Sequence, residues 1–165
     1  MRYLPIALLL LSSYAPGQSD DCSNATAISG QGSWAFDTTA FTTSQFDGGG
    51  CLNSDADIDQ DCFFLWRSTF EGTAFFDTFG SSFDTRLRVH NGRDCAAVCQ
   101  GHNDDSGNLQ SSLRIGGVQL GEAYLIQVGG FAGALGTGVL NIHAAGCATG
   151  LGDRFEDNDT AATAA

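Results

Sequence analysis

The sequence predicts an all-β protein, a disulfide-stapled antiparallel β-sandwich of the jelly-roll kind with about eight strands. Apolar and polar residues alternate with a period of two in several segments, for example from Arg86 to His90, and this period is typical of half-buried strands. Turn signals such as Asn91-Gly92 separate these segments, and no segment shows helical periodicity. Several short strands at such spacing favour a sandwich. The predicted strands lie near residues 33–42, 61–69, 73–79, 84–90, 97–101, 110–116, 122–129 and 137–144.

Alternation also predicts which side chains face the core. Side chains at every second position of a strand lie on the same face. Apolar residues at alternate positions are therefore expected inward, and the residues between them outward. The inward set is Cys62, Phe64, Trp66, Phe70, Leu87, Val89, Tyr124, Ile126 and Val128. The outward set is Arg67, Thr69, Arg86, Arg88, His90, Leu125 and Gln127.

The first fifteen residues are typical of a signal peptide. Met1-Arg2 is a positive start, an apolar run from Leu4 to Leu11 follows, and Ser13-Tyr14-Ala15 offers small residues for cleavage. The apolar run is much shorter than the roughly 20 residues that a bilayer-spanning helix needs. We therefore expect residues 1–15 to be a signal peptide, 16–19 a linker, 20–147 one β-sandwich domain and 148–165 a further linker or tail.

The charge is strongly acidic, with a formal net charge of −12. Every cation is Arg, and Asp far outnumbers Glu among the 19 acidic residues. Asp favours turns and loops over helices, so this bias agrees with a β-protein that has polar connections. An acidic surface repels phosphate backbones and anionic lipid, so we expect no nucleic-acid partner and no membrane insertion.

The six cysteines form an even set in an exported chain, which predicts three disulfides. Six cysteines allow 15 pairings from sequence alone. We favour Cys95–Cys99 closing a small loop, Cys51–Cys62 across an acidic loop, and Cys22–Cys147 tying the ends of the domain. The scattered spacing contains no Cys-x-x-Cys motif and therefore disfavours a zinc site.

Six short motifs follow one another along almost the whole mature chain: Asp21–Ala25, Phe36–Thr39, Asp61–Trp66, Phe83–Thr85, Asn103–Asp105 and Tyr124–Gly130. Their order resembles the bacterial pre-peptidase C-terminal (PPC) domain, a β-sandwich of secreted peptidases and other exported proteins. This resemblance implies a non-catalytic secreted module that binds a ligand or acts as a spacer, monomeric within a tandem chain.

The C-terminal segment supports two interpretations. Domains that resemble this family often begin with Glu-x-Asn-Asp-Thr, and Glu156, Asn158, Asp159 and Thr160 match that motif. The segment then opens a second, truncated repeat with its own metal motif. A polar, Ala-rich tail without fixed structure is the other interpretation.

Calcium is the cofactor that the resemblance implies, because collagen-binding relatives hold Ca²⁺ with loop carboxylates and amides. Ca²⁺ takes six to eight oxygen ligands. The candidate ligands are Asp20, Asp21, Asn103, Asp104 and Asp105, with Asp55, Asp57, Asp59 and Asp61 as a further acidic run. That run lacks the Gly and Glu of an EF-hand, which excludes this motif. Solvated acidic turns are the alternative interpretation.

Catalysis has little support in the sequence. His90, His102 and His143 belong to no metalloprotease, nucleophile-elbow or Cys–His signature, so we expect no enzyme. The partner is expected to be an extracellular protein or a polysaccharide. The alternatives are an accessory domain of a secreted peptidase or other hydrolase, and a carbohydrate-binding module that uses Trp34 and nearby phenylalanines as an aromatic platform.

Overall fold

The computed structural model describes residues 18–44, 46, 51 and 57–145. Several predicted features lie outside the described residues: the signal peptide, residues 16 and 17 of the linker, Asp55, Cys147 and the segment 148–165 with Glu156, Asn158 and Asp159. Within the described part, no helix is long and apolar enough to cross a bilayer. A 3₁₀ turn at Cys22–Asn24 precedes nine strands: β1 Thr26–Ser29, β2 Gly32–Asp37, β3 Asp59–Arg67, β4 Gly72–Asp77, β5 Thr85–Asn91, β6 Val98–Asn103, β7 Ser112–Val118, β8 Ala123–Gly130 and β9 Thr137–Ala144.

Two sheets form a sandwich, which confirms the all-β prediction. One has five strands in the order β1-β3-β8-β5-β6, and the other has four in the order β2-β9-β4-β7. The pairs within both sheets are antiparallel apart from β1 and β3, which run parallel from Thr26 opposite Phe64. Eight of the nine strands overlap predicted ones. The sequence analysis missed β1, because four residues carry too little alternation to indicate a strand.

The first predicted strand was too long at its C-terminal end. β2 ends at Asp37 and not near residue 42. The Asp37 carboxylate accepts a hydrogen bond from the Thr39 amide at 2.9 Å, which bends the chain into a turn. This hydrogen bond from the Thr39 backbone, followed by one from the Thr39 side chain, lowers the pKa of Asp37. The chain then leaves the four-stranded sheet and crosses to the outer face of the five-stranded one.

An aromatic core fills the space between the sheets. The Trp66 ring lies 5.2 Å from Phe76 in an edge-to-face contact and 5.5 Å from Tyr124. Its indole nitrogen donates to the Gly30 carbonyl oxygen at 2.7 Å, so the one polar atom of this buried side chain is satisfied. Phe36, on β2 of the other sheet, makes similar edge contacts with Phe64 and Phe83. The predicted inward residues therefore do form the core, although Phe70 is only partly buried at its border.

The outer face of the five-stranded sheet is also buried, which corrects the predicted outward set. Arg88, His90, Leu125 and Gln127 are each at most 4% exposed. β8 is buried on both faces along its whole length. Alternation assumes that one face meets solvent, but here residues 42–44 and Phe46 lie over that face.

The predicted disulfide pairs are wrong. Cys22 pairs with Cys95 and Cys51 pairs with Cys99, with Cα–Cα distances of 5.5 Å and 5.2 Å. Cys95–Cys99, Cys51–Cys62 and Cys22–Cys147 are therefore all excluded. Both bonds tie the loops that cover the five-stranded sheet to the β5–β6 region, a proximity that sequence spacing does not reveal.

Cys62 lies in the core between the sheets and has no disulfide partner among the described residues. Burial, followed by the nearby Asp61 and Asp20 charges, raises the pKa of its thiol well above the usual value. The thiolate is the reactive form of cysteine, and the raised pKa keeps Cys62 in the protonated thiol form. Cys62 therefore acts as a small apolar side chain of the core.

Gly130 marks a close backbone approach at the end of β8. A Cβ atom at this position would lie 1.7 Å from the Ala134 carbonyl oxygen. The tight loop from Phe131 to Gly136 therefore requires a residue without a side chain here. This loop borders the acidic group described next.

Candidate functional site

Three carboxylates meet at one end of the five-stranded sheet. Asp84 lies immediately before β5, and Asp104 and Asp105 follow β6. Because β5 and β6 are antiparallel neighbours, with Leu87 opposite Asn103, the start of one strand lies beside the end of the other. One carboxylate oxygen from each of the three aspartates lies within 4.8 Å of the other two. We call Asp84, Asp104 and Asp105 the acidic cluster.

The sequence analysis predicted Asp104 and Asp105 as ligands but not Asp84. Asp84 was visible only as part of the Phe83-Asp84-Thr85 motif. An antiparallel pairing of the two strands would have placed it beside Asp104, but strand pairing was not predicted. The sequence signal that identifies it is therefore the position of an Asp at the start of a strand whose partner ends in Asn-Asp-Asp.

One cation already lies in the acidic cluster. The Arg86 guanidinium is 3.1 Å from an Asp104 carboxylate oxygen and 4.4 Å above the centre of the Phe131 ring. Three carboxylates and one guanidinium leave two negative charges without compensation. Burial, followed by repulsion from Asp105 and Asp104, raises the pKa of Asp84, and the Arg86 charge opposes this shift. Ionised Asp84 is therefore unfavourable here without a further cation.

The donor set fits a hard divalent cation. The Oδ1 atoms of Asp84 and Asp104 are buried and have no hydrogen-bond partner among the described residues. Buried oxygens of this kind are costly to leave unpaired. Ca²⁺ prefers carboxylate oxygens and completes its shell with carbonyl oxygens and water. The acidic cluster could therefore hold Ca²⁺ through these two orphaned oxygens together with Asp105.

Asn103 has a structural role beside the cluster. Its side-chain oxygen accepts from the Ser112 amide at 2.8 Å, and its side-chain nitrogen donates to the Asp105 carbonyl oxygen at 3.3 Å. These bonds fix the loop that presents Asp104 and Asp105. The Asn103 side chain is thus already occupied by protein partners, although it was predicted as a ligand.

Asp20 and Asp21 do not join the acidic cluster. The Asp20 carboxylate accepts from the Thr42 amide and hydroxyl at 2.9 Å and 2.8 Å. The Asp21 carboxylate accepts from the Ser23 amide at 2.8 Å and caps the 3₁₀ turn. Both residues border a groove beside the Cys22–Cys95 disulfide. The predicted ligand set therefore divides between two places in the fold.

Two members of the alternating acidic run, Asp59 and Asp61, are used for internal hydrogen bonds, whereas Asp57 is exposed and Asp55 lies outside the described residues. Asp61 is fully buried on the outer face of β3. Its carboxylate accepts from the Ser44 amide at 2.9 Å, the Ser44 hydroxyl at 2.6 Å and the Gln127 side chain at 2.5 Å. Burial raises the pKa of Asp61, and the bonds from Ser44 and Gln127 oppose the shift. Asp59 accepts from the Gly133 amide at 2.7 Å.

His90 is the one fully buried histidine of the described residues. Its ring centre lies 4.9 Å from that of Phe46, and neither ring nitrogen has a hydrogen-bond partner in the described part of the chain. Burial, followed by the Arg88 charge, lowers the pKa of His90 to about 4, and the nearby Ala97 backbone acts weakly in the opposite direction. An imidazole without an orienting partner is poorly placed to act as a general base.

The aromatic residues do not form a broad exposed platform. Trp34 and Phe41 are partly buried and pack against the core. Phe75 points away from the core, opposite to buried Phe76, and stacks on His143 with ring centres 5.2 Å apart. Among the described residues, Phe79 and Phe131 are the more exposed aromatic side chains, at 47% and 40%. Trp34 is therefore a border residue of the core and not a solvent-facing sugar platform.

Comparison with known proteins identifies similar solved folds only. No protein-family model matches the sequence, and no curated protein matches it. The fold is similar to the pre-peptidase C-terminal domain of a collagenase from Bacillus anthracis, with a TM-score of 0.47 and 11% identity over 73% of this chain and 96% of that chain. It is also similar to PliG of Aeromonas hydrophila, a periplasmic inhibitor of g-type lysozyme, with a TM-score of 0.37 and 15% identity over 72% of this chain and 97% of that chain.

A PPC domain is thus among the structures that this chain is similar to, as the sequence resemblance predicted. At these identities the similarity concerns the fold. The two-sheet architecture itself is established by the strand pairing of this chain.

Proposed function

We propose that this chain is a non-catalytic, exported binding module whose sandwich is stabilised by Ca²⁺ at Asp84, Asp104 and Asp105. The observation that carries the calcium proposal is the pair of buried, unpartnered carboxylate oxygens at Asp84 and Asp104. They lie in a group whose charge is compensated only in part by Arg86. A divalent cation would neutralise the remaining charge and satisfy both oxygens.

Export is supported by the cysteine chemistry and by the predicted signal peptide at residues 1–15. Disulfides persist in oxidising compartments, and two join distant parts of this domain. The resulting module belongs outside the cytoplasm, as a secreted or cell-surface unit. Its expected partner is an extracellular protein or a polysaccharide, and the module acts in binding or spacing within a longer chain.

The alternative is an accessory domain of a secreted peptidase or other hydrolase, which rests on the sequence resemblance and on the motif at Glu156–Thr160. A carbohydrate-binding module is the weaker alternative, because Trp34 packs against the core. Retention on polysaccharide that depends on Trp34 would favour that alternative over ours.

Calcium binding is tested by thermal unfolding of the oxidised domain with EDTA and then with millimolar Ca²⁺. A ligand bound only by the folded state at 100 times its Kd adds about 2.7 kcal/mol, so Tm should rise by several degrees. Asp84→Asn should abolish this rise. Asp57→Asn is the matched control, because Asp57 is exposed and outside the acidic cluster.

The calcium-free protein supplies a second readout. Since the raised pKa of Asp84 indicates an unfavourable negative charge, Asp84→Asn should unfold in EDTA at the wild-type temperature or above it. A variant that loses the calcium response without losing stability in EDTA identifies Asp84 as a ligand. No calcium response in the wild type, or an equal response in Asp84→Asn, would contradict the proposal.

A further inference from the structure

Residues 42–44 and Phe46 lie over the outer face of the five-stranded sheet, and we call them the cover. Three carboxylates from outside hold the cover in place. Thr42 donates to Asp20, Thr43 donates to Asp59 at 3.3 Å, and Ser44 donates twice to Asp61. The cover contains no titratable side chain of its own. Its attachment therefore depends on groups that lie beneath and beside it.

The apolar contact of the cover lies at its end. The Phe46 ring packs on Phe63 at 5.8 Å and on His90 at 4.9 Å. Leu125 and Ala97 complete this small buried cluster, which is separate from the main core. His90 is opposite Leu125 in the sheet, so both side chains face the cover. Removal of Phe46 would open the cluster to water.

His90 is packed as a neutral ring. It is 0% exposed, and its two nitrogens have no hydrogen-bond partner among the described residues. Protonation would place an N–H on both ring nitrogens and add a charge, and the Ala97 backbone, the smallest of the influences on the pKa of His90, is the group that favours this form. Burial of an unpaired charge is strongly unfavourable, so protonation and closure of the cover oppose each other.

In the described part of the chain, no carboxylate acts on the pKa of His90, and Asp47, which follows Phe46 in the sequence, lies outside that part. Arg88 lies on the same strand and has the same sign as a protonated His90. The carboxylate of Asp61 accepts bonds from Ser44 and Gln127. The remaining charged groups on neighbouring elements are Asp20 and Asp21 at the entrance, and Arg93 and Asp94 in the loop between β5 and β6.

We propose that the cover is an acid-releasable strap and that His90 is its proton sensor. Protonation of His90 favours the state in which Phe46 has left the ring and water reaches both nitrogens. Release exposes the apolar side chains of Phe63 and Leu125 on the sheet. A groove of about 690 Å³ already borders the cover along Thr42, Ser44 and Phe46, so solvent reaches its edge in the closed state.

The size of the effect follows from proton linkage. In the open state His90 recovers its ordinary pKa of 6.5, and in the closed state its pKa is about 4. Between pH 7 and pH 4 the His90 contribution taken alone should therefore raise the ratio of open to closed cover on the order of 100-fold. Asp61 acts in the opposite direction, because its raised pKa means that the closed state takes up a proton more readily than the open one. The change begins below pH 6.5, the range set by His90.

Hydrogen exchange of the Ser44 amide tests the strap directly, since this amide is bonded to Asp61 only when the cover is closed. After correction for the intrinsic pH dependence of exchange, its protection in the wild-type domain should fall from pH 7 to pH 4, by at most about 100-fold because Asp61 opposes the effect of His90. The amide of Ile126, in the middle of β8, should keep its protection over this range and reports global unfolding.

Two variants remove the sensor. His90→Phe and His90→Gln cannot take up a proton, so the Ser44 amide should keep its protection to pH 4 in either variant. If the bulky Phe variant does not fold, the Gln variant decides. His143→Phe is the control, because His143 is exposed on the other sheet and should leave the wild-type loss unchanged.

Three results would overturn the proposal. The first is constant protection of Ser44 in the wild type, and the second is an equal loss in the folded His90 variants. The third is simultaneous loss at Ser44 and Ile126, which would indicate global unfolding without a strap. None of these results depends on whether the acidic cluster binds Ca²⁺.

Discussion

The Cys22–Cys95 bond should be the covalent tie that stabilises the entrance of the domain. It joins residues with a sequence separation of 73. In the chain-entropy model, a closed loop of this length restricts the unfolded state by about 4.4 kcal/mol. For a domain of this size, 1 kcal/mol corresponds to roughly 3 to 5 °C in Tm, so loss of the bond should lower Tm by roughly 15 °C.

The assay is urea unfolding of the oxidised domain for Cys22→Ser, Cys95→Ser and the double variant. If the two cysteines are partners, each single variant already breaks the bond, and the double variant should lose no more than either single one. The Cys51–Cys99 bond, with a sequence separation of 48, predicts about 4.1 kcal/mol, so magnitude alone does not distinguish the pairs. The two pairs are distinguished by whether the losses of stability in the single variants add up in the double variant.

Additive losses would refute this reasoning, because they would mean that Cys22 and Cys95 belong to different bonds. Mapping of the crosslinked peptides gives an independent check. No Arg or Lys lies between Cys95 and Cys99, so trypsin leaves both on one peptide. Elastase, which cleaves after small residues, should cut within Ala96-Ala97-Val98 and separate the two bonds.

Three further substitutions test the packing. Gly130→Ala should lower the free energy of unfolding, measured in urea, by at least about 2 kcal/mol, because its Cβ would overlap the Ala134 carbonyl oxygen. In the control Gly116→Ala, no atom lies within 4 Å of the new Cβ, so the free energy of unfolding should change by no more than about 0.5 kcal/mol. Trp66→Ala should cost about 3 to 5 kcal/mol, and near-UV circular dichroism should lose the signal of the packed indole; a loss below 1 kcal/mol would contradict its central place in the core. Asp61→Ala should cost about 1 to 3 kcal/mol at pH 7, since it leaves the donors of Ser44 and Gln127 without their acceptor, and an equally small effect for it and for exposed Asp57→Ala would refute that role.

The sequence was most informative where one physical rule decides the outcome. Period-two alternation located eight of the nine strands, and it placed Trp66, Leu87 and Ile126 correctly in the core. Alternation was wrong about the opposite face of the same strands. It interprets polar residues as solvent-facing, whereas His90 and Gln127 are polar and buried.

The missing information was tertiary. The cover reaches Asp61 from a position seventeen residues earlier in the chain, and no local pattern indicates that contact. Cysteine pairing failed for the same reason, because Cys22 and Cys95 meet only after β5 and β6 have been placed. Asp104 and Asp105 were visible as an acidic loop, but their neighbour Asp84 required the register of those two strands.

The parallel pairing of β1 has a consequence for how the sheet is completed. β1 is an edge strand, and its hydrogen-bonded neighbour β3 follows only after the chain has passed through β2 in the other sheet. The edge of β3 at Phe64–Arg67 therefore pairs with a short extended segment. That segment can come from the same molecule or from another copy. A chain that begins at Gly32 should be prone to self-association through this bare edge, and a separate peptide of residues 18–31 should restore a monomer. The five-stranded sheet is thus the part of the molecule that can be completed in trans, by strand exchange between copies.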